Sequence, residues 1–359
     1  MKVMHIGEYV KGGVATYIKE VIYYQKQSQD INDIYLVVSN TNSDKDFYLP
    51  KEKVVFYKYQ RSIKYMFKAM LQIINEINRV NPDIIHIHST FAGFFVRAPL
   101  FLKKRKFKIV YCPHGWAFLM EISYLKKKVI MIVERLLTFK TDKIINISLN
   151  EQKEAMDLRL PISKLELINN GISTETRSGI PSLLVKQNNI NLLFVGRFDR
   201  QKGLDILIEF FKKYSPTHIQ LYIVGDSVLE KNDIEVPNNI INVGWIDNEE
   251  LDSYYKLFDA VIIPSRWEGF GLVAIEAMKN KKPIIVSDRG ALPDLVKKDN
   301  GYVFSLNNLS TLHDILVSLN KEELRIKGLN GYNYFISNFT SDIMNKKIIN
   351  VYKKILQTK

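Results

Sequence analysis

The sequence predicts an α/β protein made of two Rossmann-like, doubly wound parallel-sheet domains that face each other across a cleft. The chain has 359 residues, which at roughly 100 to 200 residues per domain suggests two domains. Short apolar runs alternate with helical periodicity from end to end. Such alternation is typical of parallel sheets that are covered by helices on both faces.

The first half of the chain contains apolar runs that we interpret as buried parallel strands. They lie at residues 2–7, 33–38, 54–59, 83–89, 108–112 and 143–148. Helical stretches lie between several of these runs, such as Val14 to Gln27 and Ile63 to Val80, the second of which ends just before Pro82. The sequence therefore predicts βαβ units in the first domain.

A polar stretch from Ile172 to Asn189, rich in Ser, Thr and Asn, indicates a connection between domains. The second alternation follows, with strands predicted at 191–198, 219–226, 240–246, 260–265 and 283–287 and helices at about 203–213, 248–257, 271–280 and 291–297. We expect a first domain over 1–172, a linker over 173–189 and a second domain over 190–340. A C-terminal helix over 341–359 is expected to pack back on the first domain.

Composition excludes several classes of protein. With 46% hydrophobic and 25% charged residues and 11 prolines, the chain is neither disordered nor collagen-like. Its one cysteine, Cys112, excludes an intramolecular disulfide and a zinc site of several thiolates, which fits a reducing cytosol. No secretory signal or clean membrane span is evident, since the nearest case, 84–102, contains histidines, an arginine and a proline. We expect a soluble or peripheral protein.

The net charge of +13 is concentrated in the first half of the chain. Residues 1–175 contain 27 basic and 17 acidic side chains, whereas residues 176–359 contain 24 and 21. The basic clusters stand beside aromatic or aliphatic residues and comprise Lys103, Lys104, Arg105, Lys106 and Lys108, and then Lys126, Lys127 and Lys128. Such patches attract anionic lipids, polyprenyl diphosphates or nucleic acids, although a solvated lysine-rich surface is the simpler alternative.

The first strand-to-helix junction, GEYVKGGVAT, contains Gly12 and Gly13. Glycines let the backbone approach a ligand closely, and a helix N-terminus offers free N–H groups to an anion. The junction is neither a Walker loop nor a GxGxxG dinucleotide fingerprint, because the required residues are absent. A plain tight turn is the alternative.

Two junctions in the second half contain charged residues. In VGRFDRQKG, Arg197 and Lys202 follow a predicted strand, and such cations suit a diphosphate. In PSRWEGFGLVAIEAM, Glu268 lies in a glycine loop and Glu276 lies eight positions later, inside the following helix. Glu276 would lie about 7 to 8 Å along the axis from the helix start, so both carboxylates can line one pocket.

In their order along the chain, these junctions resemble the retaining GT-B glycosyltransferases of glycosyltransferase family 4. The resemblance covers nearly the whole chain and rests on the GG loop, the HG pair at His114, GRF…KG, E-x7-E from Glu268 to Glu276, and KKPIIVSDRGALPDLV. One departure is Asp294, where the family more often has Glu. The resemblance implies transfer of a sugar from a nucleotide-sugar donor with its anomeric configuration retained.

The resemblance also implies a donor site in the second domain. Arg197 and Lys202 would neutralise the donor diphosphate as it leaves. Glu276 would hydrogen-bond the ribose hydroxyls, and Glu268 would face the sugar. Backbone amides at a helix N-terminus would add to diphosphate binding, within the segment Gly269, Phe270, Gly271 and Leu272.

Further positions follow from the same resemblance. Gly12 and Gly13 would approach the diphosphate from the first domain. His114 would lie on the acceptor side, near the reacting sugar. Trp245 and Ile246 would lie along the nucleotide base.

We predict no metal and no separate cofactor. The Asp44-Lys45-Asp46 triplet has the spacing of a metal-binding pair, but it lies in a loop and not directly at a buried strand end. His86 and His88 share one face of a strand, yet no third ligand is evident from the sequence. The resemblance favours front-face attack by the acceptor hydroxyl over a covalent carboxylate intermediate. The residues themselves do not distinguish between these two mechanisms.

From the resemblance we therefore expect a retaining, metal-independent hexosyl- or N-acetylhexosaminyl-type transferase, with a UDP-sugar favoured as donor. The expected acceptor is a glycan on a polyprenyl diphosphate, in bacterial O-antigen or capsule assembly. The expected location is cytoplasmic, at the inner face of the cell membrane, which the basic first domain would contact. No nucleic acid partner is expected.

Three alternatives remain open at this point. A non-hydrolysing sugar-nucleotide epimerase shares the architecture but would act without an acceptor. A nucleotide-dependent dehydrogenase would need the dinucleotide fingerprint that is missing after the first strand. A nucleic-acid-binding module could use the basic half, but no recognised motif is present.

Overall fold

The chain divides into two compact units, Met1–Gly171 with Ser341–Lys359, and Ile172–Thr340. The computed structural model describes residues 1–60, 62–101, 104–176, 179, 181, 183–214, 216–226 and 236–358. Each unit contains one parallel sheet with helices. Two α/β units of this kind are what the alternating sequence pattern predicts.

Within the described residues, the sheet of the first unit has seven parallel strands. They are β1 (Lys2–Gly7), β2 (Asp33–Ser39), β3 (Val54–Tyr57), β4 (Ile84–His88), β5 (Lys108–Cys112), β6 (Lys143–Asn146) and β7 (Leu165–Leu167), in the spatial order β3-β2-β1-β4-β5-β6-β7. The helices are α1 (Gly13–Gln27), α2 (Ile63–Val80), α3 (Thr90–Arg97), α4 (Tyr124–Leu137) and α5 (Leu149–Asp157). The strand order reverses between β1 and β4, where doubly wound sheets bind ligands.

The second unit repeats this topology with six described strands. They are β8 (Ile190–Val195), β9 (Ile219–Val224), β10 (Ile240–Gly244), β11 (Ala260–Ile263), β12 (Ile284–Ser287) and β13 (Gly301–Phe304), in the order β10-β9-β8-β11-β12-β13. The helices are α6 (Leu204–Tyr214), α7 (Asn248–Tyr255), α8 (Leu272–Lys279), α9 (Leu292–Leu295), α10 (Ser310–Ser318) and α11 (Lys321–Asn338). Here the strand order reverses between β8 and β11.

A last helix, α12 (Ser341–Gln357), belongs to the first unit. Its Tyr352 is fully buried, and the hydroxyl oxygen lies 2.6 Å from Nδ1 of His86 on β4. The amide nitrogen of Gln25 on α1 donates to the same hydroxyl at 3.4 Å. The end of the chain therefore completes the core of the unit that the start of the chain builds.

The two faces of β4 differ in chemistry. Ile85 and Ile87 belong to the apolar core of the first unit, whereas His86 and His88 are fully buried on the opposite face. Side chains alternate between the faces of a strand, so HIH within an apolar run places both imidazoles together. The second unit has an equivalent apolar core in which Leu192, Leu221 and Ile262 are fully buried.

The structure differs from the sequence expectations mainly where elements are short. The sequence did not indicate β7 or β13, which have three and four residues. The predicted strand over 54–59 ends at Tyr57, and the helix expected over 291–297 is the short α9. Periodicity cannot resolve three- or four-residue elements because they contain hardly one full repeat.

The segment 173–189, expected as a linker, lies partly outside the described residues. Its described part packs on the second unit, where the carbonyl of Glu175 accepts a hydrogen bond from Lys279 Nζ at 3.0 Å. The backbone N–H of Lys186 donates to the Tyr222 hydroxyl at 3.2 Å. Lys103, one of the basic residues singled out above, also lies outside the described residues. None of the helices in the described part of the chain is long and apolar enough to cross a membrane.

Candidate active site

The loop after β8 is held in place by glycines and polar contacts. Gly203 has φ +74°, and a Cβ at this position would lie 2.3 Å from the Pro264 carbonyl oxygen. Only glycine fits such a left-handed, closely packed position without strain. The backbone N–H of Arg266 also donates to the Gln201 carbonyl at 2.8 Å. The loops that follow the neighbouring strands β8 and β11 are thus joined at the switch point.

Lys202 and Glu268 form an ion pair at this junction. The same carboxylate oxygen, Oε1, accepts a hydrogen bond from the Ser265 hydroxyl at 3.0 Å. The backbone carbonyl of Glu268 accepts a hydrogen bond from the Ala291 N–H at 3.1 Å. Residue 290 must be glycine for this contact, because a Cβ at Gly290 would lie 2.3 Å from the Glu268 carbonyl oxygen. The Glu268 side chain is only 10% exposed. It is therefore fixed from both its backbone and its carboxylate.

Arg197 lies on the more exposed side of the same loop. Its Nη2 is 3.0 Å from Asp199 Oδ2 and 3.1 Å from Gln201 Oε1, and its side chain is 52% exposed. Asp199 also accepts the backbone N–H of Lys202 at 3.0 Å. An exposed ion pair of this kind contributes at most about 1 kcal/mol, so Arg197 can leave Asp199 for a ligand at little cost.

The glycine loop ends at the start of α8. Gly271 is the N-cap, with φ +96°, and a Cβ there would approach Leu292 Cδ2 to 2.8 Å. Phe270 is buried and packs edge-on against Phe339 at 5.7 Å, while Gly269 precedes it in the loop. The amides of Gly271 and Leu272 belong to the first turn, whose N–H groups have no partner within the helix. They form a positive helix end suited to a phosphate.

Glu276 lies one turn further along α8. The hydroxyl of Tyr255 donates to its Oε2 at 3.1 Å. Burial raises the pKa of Glu276, and the hydrogen bond from Tyr255 and the charges of Lys279 and Lys202 oppose this. Tyr255 is itself buried, so Oε2 of the carboxylate is held in place.

The two residues predicted to line the base follow β10, at the edge of the sheet. Trp245 is 66% exposed and donates from Nε1 to Asp247 at 3.1 Å, whereas Ile246 is buried. Because β9 separates β10 from β8, Trp245 lies two strands away from the loop that contains Lys202.

In the first unit, the turn after β1 contains the predicted glycines. Gly12 is the N-cap of α1 with φ +60° and ψ −134°, a conformation that glycine adopts readily. A Cβ built on Gly12 meets no described atom within 4 Å, so space is open beside it. Gly13 is the first residue of α1, and both glycines are exposed. The turn therefore presents a free helix N-terminus.

His114 follows β5 in a strained conformation. Its φ is +53°, which is uncommon for a residue with a side chain. Its Nε2 lies 2.9 Å from His88 Nδ1, and its Nδ1 lies 3.6 Å from Cys112 Sγ. The next backbone N–H, of Gly115, donates to the buried carboxyl of Glu151 on α5 at 2.5 Å. Burial lowers the pKa of His114 to about 3, so the ring is neutral.

The candidate metal residues have other contacts. Asp44 pairs with Lys19 at 2.7 Å, and Asp46 accepts the backbone N–H of Tyr48 at 3.0 Å. The structure also supplies a third histidine: ring nitrogens of His5, His86 and His88 lie within 4.8 Å of one another. However, His5 Nδ1 and His88 Nε2 face each other at 3.0 Å with rings 22° from parallel. This is the geometry of a hydrogen bond rather than of ligands that converge on one ion.

Several residues around these sites were missed by sequence reasoning. Ser265 holds Glu268 and could have been found, because the two residues have S-x-x-E spacing. Tyr255 holds Glu276 from 21 positions away, a separation that no helical or strand repeat connects. Glu151 could have been found, because Ser148 and Glu151 have the S-x-x-E spacing of a capping box, and the Ser148 hydroxyl accepts the Glu151 N–H at 3.1 Å. His5 could have been found only by aligning β1 with β4.

Both halves of the chain match models of known protein families. Residues 11–176 match the model of "Glycosyltransferase Family 4", and residues 178–334 match that of "Glycosyl transferases group 1". These matches do not favour the sugar-nucleotide epimerase, the dehydrogenase or the nucleic-acid-binding module. They agree with the family that the motifs resemble.

Individual proteins extend the comparison. An uncharacterized 41.2 kDa protein in the cps region of Klebsiella pneumoniae is 36% identical over 305 residues, covering 82% of this chain and 83% of that protein. The UDP-Gal:alpha-D-GlcNAc-diphosphoundecaprenol alpha-1,3-galactosyltransferase of Escherichia coli is 26% identical, covering 76% and 75%. The crystal structure of Anabaena Alr3699/HepE in complex with UDP superposes with a TM-score of 0.80 at 18% identity, covering 99% and 100%. From both family matches and these likenesses, the chain belongs to the family 4, group 1 glycosyltransferases and has the GT-B fold.

Proposed function

We propose that this glycosyltransferase moves a sugar from a UDP-sugar to a lipid-linked glycan acceptor, with retention and without a metal, in bacterial surface polysaccharide assembly. The observation that carries the proposal is the ion pair of Lys202 and Glu268. It joins the loops after β8 and β11, where the strand order reverses and α/β sheets bind ligands. A cation beside a buried carboxylate suits a ligand with both a diphosphate and a hydroxyl-rich ring.

The diphosphate would be bound by groups that stabilise charge without a metal. Departure of a nucleoside diphosphate leaves negative charge on the phosphate oxygens, and fixed donors aimed at that charge lower the barrier. Arg197 and Lys202 are candidate cations, and the amides at the start of α8 are candidate dipoles. Because Lys202 is paired with Glu268, the protein itself orients its ammonium group.

The two carboxylates are proposed to bind hydroxyls. Glu268 would accept from the sugar ring, since its Oε1 is held by Lys202 and Ser265. Glu276 would accept from the ribose through the oxygen that Tyr255 does not hold. His114, neutral in the first unit, would meet the reacting sugar on the acceptor side.

Relatives support the choice of donor and acceptor class. The E. coli relative is named for UDP-Gal and a diphosphoundecaprenol acceptor, and the Anabaena structure contains UDP. The Klebsiella relative is named for the cps region. We therefore propose UDP as the nucleotide, with a hexose or N-acetylhexosamine as the transferred sugar.

A surface on α4 supports an acceptor that resides in a membrane. Large apolar side chains follow the helical i, i+3, i+4 pattern along one face and continue just past the helix end. They are between 49% and 75% exposed and comprise Leu125, Val129, Ile132, Leu136 and Phe139. We call these residues the α4 stripe. Exposed apolar stripes of this kind mark sites of interaction with membranes or proteins.

The charge around the α4 stripe selects an anionic bilayer as its partner. Lys126, Lys127, Lys128 and Arg135 lie on the same helix. Its one carboxylate, Glu134, is buried and paired with Arg97 at 2.9 Å, so the exposed part of α4 is basic. Basic residues that flank an apolar helix face favour anionic lipid headgroups. We propose that α4 docks the enzyme on the inner face of the cell membrane, from the cytoplasmic side.

Calorimetry on the purified protein tests the donor site. UDP, GDP, ADP and NAD are titrated separately without a metal, into the native protein and into an Arg197→Ala/Lys202→Ala double variant. We expect UDP to bind and the double variant to lose that binding. A matched control is Arg325→Ala/Lys327→Ala, which removes two cations from α11 in the same unit. Failure of UDP to bind, or binding of NAD alone, would overturn the donor assignment.

Transfer is then tested with UDP-sugars and a lipid-linked acceptor. A product that forms only when the acceptor is present supports the transferase. Conversion of the UDP-sugar into an isomer without acceptor would indicate the epimerase instead.

A further inference from the structure

A row of histidines crosses the first unit from β1 to the loop after β5. His5 Nδ1 lies 3.0 Å from His88 Nε2, and His88 Nδ1 lies 2.9 Å from His114 Nε2. At the inner end, His5 Nε2 lies 2.9 Å from Gln25 Oε1 on α1. We call His5, His88 and His114 the histidine chain. It connects the fully buried core of the unit with the half-buried His114.

The rings in the histidine chain are arranged end to end. The centroids of His5 and His88 are 5.3 Å apart with planes 22° from parallel, and those of His88 and His114 are 5.2 Å apart at 25°. Nitrogens of nearly coplanar rings at 2.9 to 3.0 Å face each other directly. Each contact is therefore a hydrogen bond between one N–H and one lone pair.

The rings are neutral, which makes the direction of these hydrogen bonds uniform. Burial lowers the pKa of His5 to about 4 and holds that of His88 well below its usual value. A neutral imidazole has one N–H and one acceptor nitrogen, so a hydrogen bond that fixes one ring fixes the next. All rings in the chain must therefore donate in the same direction.

Gln25 decides which direction this is. Its side-chain nitrogen donates to the Tyr352 hydroxyl at 3.4 Å, so its oxygen faces His5 and can only accept. His5 then donates from Nε2 and accepts at Nδ1 from His88. His88 in turn accepts at Nδ1 from the Nε2–H of His114. The Nδ1 of His114 is left as an acceptor, whose contact is the weakly donating thiol of Cys112 at 3.6 Å.

We propose that His88 is a positioning residue for His114, fixing the neutral tautomer in which His114 carries its proton on Nε2 and faces the Cys112 thiol with Nδ1. The inference rests on the proposed function for the place of His114 beside the sugar. It adds that the His114 ring is held there as one neutral tautomer, not as an acid or a cation. It also assigns a role to His5 and Gln25, which hold His88.

The strained backbone of His114 is consistent with such positioning. A φ of +53° is unfavourable for a residue with a Cβ, and it persists only where the surroundings impose it. Here His88 holds the ring, Tyr17 packs edge-on against it at 4.5 Å, and Glu151 holds the N–H of Gly115. The ring and the following peptide are thus fixed from opposite sides.

The tautomer can be measured without any substrate. In protein labelled with ¹⁵N-histidine, the ring nitrogens report which one is protonated, and the His114 signals are assigned by their loss in His114→Ala. We expect the native protein to show His114, His88 and His5 protonated on Nε2. A native His114 protonated on Nδ1 would overturn the proposal.

The key variant is His88→Leu, which removes the acceptor for His114. We expect the His114 ring to lose its single tautomer and the transfer kcat to fall about 10-fold, with the donor KM within about 2-fold of native. The matched control is His86→Leu, because His86 is equally buried on the same face but contacts Tyr352 instead. It should leave the His114 tautomer unchanged. If His88→Leu also leaves that tautomer unchanged, the proposal is wrong.

Two further measurements distinguish a failure of the proposed role of His88 from a failure of the proposed role of His114. Should His88→Leu not fold, Gln25→Leu removes the acceptor at the far end of the chain, and retention of the native His114 tautomer there counts against the proposal. Full transfer activity in His114→Ala would overturn the place of His114 in the proposed function. It would do so whatever the tautomer measurement shows about His88.

Discussion

Lys202 and Glu268, 66 positions apart in the chain, form an ion pair at the point where the strand order of the second unit reverses. We expect Lys202→Ala and Glu268→Ala each to lower transfer at least 100-fold, because each removes a group proposed to contact the donor. The measurement is kcat/KM for the UDP-sugar, alongside the circular dichroism spectrum to verify folding. Arg325→Ala is the control, and native activity in either site variant would contradict the assignment.

Tyr255 provides a finer test of the ribose contact. Tyr255→Phe removes the hydroxyl that holds Glu276 and leaves the ring in place. We expect UDP to bind about 5-fold more weakly, which corresponds to one hydrogen bond of about 1 kcal/mol. Calorimetry measures this change, and Tyr254→Phe, on the neighbouring residue of α7, is the control. Equal weakening in both variants would count against the proposed role of Glu276.

The α4 stripe predicts lipid-dependent binding to membranes. Leu125→Ser/Val129→Ser/Ile132→Ser should abolish sedimentation with vesicles of anionic phospholipid, because it removes exposed apolar area. Lys126→Glu/Lys127→Glu/Lys128→Glu should have the same effect through charge. Ile326→Ser/Leu329→Ser on α11 is the matched control.

A second charge reversal, Lys103→Glu/Lys104→Glu/Lys106→Glu, tests the first basic cluster of the sequence and should weaken the same binding to anionic vesicles. Vesicle binding that survives both the α4 serine variant and the α4 charge reversal would overturn the docking proposal. Loss of a dimer in the serine variant, in place of lost vesicle binding, would identify the partner as a second copy of the chain.

Glu151 predicts a pH dependence of stability. Burial raises its pKa from 4.5 to about 8 in the folded protein, despite the N–H groups of Ile147 and Gly115 that favour the charged form. Folding therefore favours the protonated acid, and the contribution of Glu151 to the free energy of unfolding should fall as pH rises from about 4.5 to about 8. At 1.36 kcal/mol per unit, the effect is on the order of 5 kcal/mol. The buried histidines His5, His88 and His114, whose pKa values folding lowers, contribute in the opposite sense below about pH 6.5.

Urea unfolding from pH 7 to 9, above the range in which the histidines contribute most, measures this slope. Glu151→Gln should flatten it, since the amide does not titrate. Asp157→Asn, an exposed acid at the end of the same helix, should leave the slope unchanged. A slope that persists in Glu151→Gln would show that another group is responsible.

Alanine substitution at two glycines with similar φ angles compares the cost of backbone strain with the cost of a steric clash. Gly203 and Gly244 have φ +74° and +84°, but a Cβ at Gly203 would lie 2.3 Å from the Pro264 carbonyl oxygen, whereas Gly244 has no described atom within 4 Å. Gly244→Ala should cost about 1 kcal/mol from the backbone alone, and Gly203→Ala at least ~3 kcal/mol. Urea unfolding of both variants measures the difference, and equal costs would contradict the packing argument.

The sequence was sufficient to predict the two parallel sheets and the loops that contain the candidate site. The apolar runs form the strands, and the GG, GRF and E-x7-E segments begin in the loops after β1, β8 and β11. In a parallel sheet the loops that follow the strands lie at one edge, which is where ligands bind. The family assignment is confirmed by the matches over both halves of the chain. Sequence patterns do not show which strands lie side by side in a sheet. The contact of Lys202 with Glu268 depends on β8 lying beside β11, and that of His5 with His88 on β1 lying beside β4.

The sequence also did not predict the short strands or the hydrogen-bond partners of buried polar side chains. β7 and β13 are too short to show a period, and Tyr352 is one of many tyrosines until α12 is placed against β4. The proposed donor residues and His114 remain predictions for the experiments above.

The position of α12 has a consequence for the order of events during synthesis. Because the first unit needs both Met1–Gly171 and Ser341–Lys359, a nascent chain that has completed the second unit still lacks part of the first. Until α12 emerges, Tyr352 cannot reach His86, and the imidazole lacks this hydrogen bond. Contacts between residues so distant in the chain form late and slow the final folding step. A ribosome-bound intermediate should therefore have a native-like second unit beside a protease-sensitive first unit.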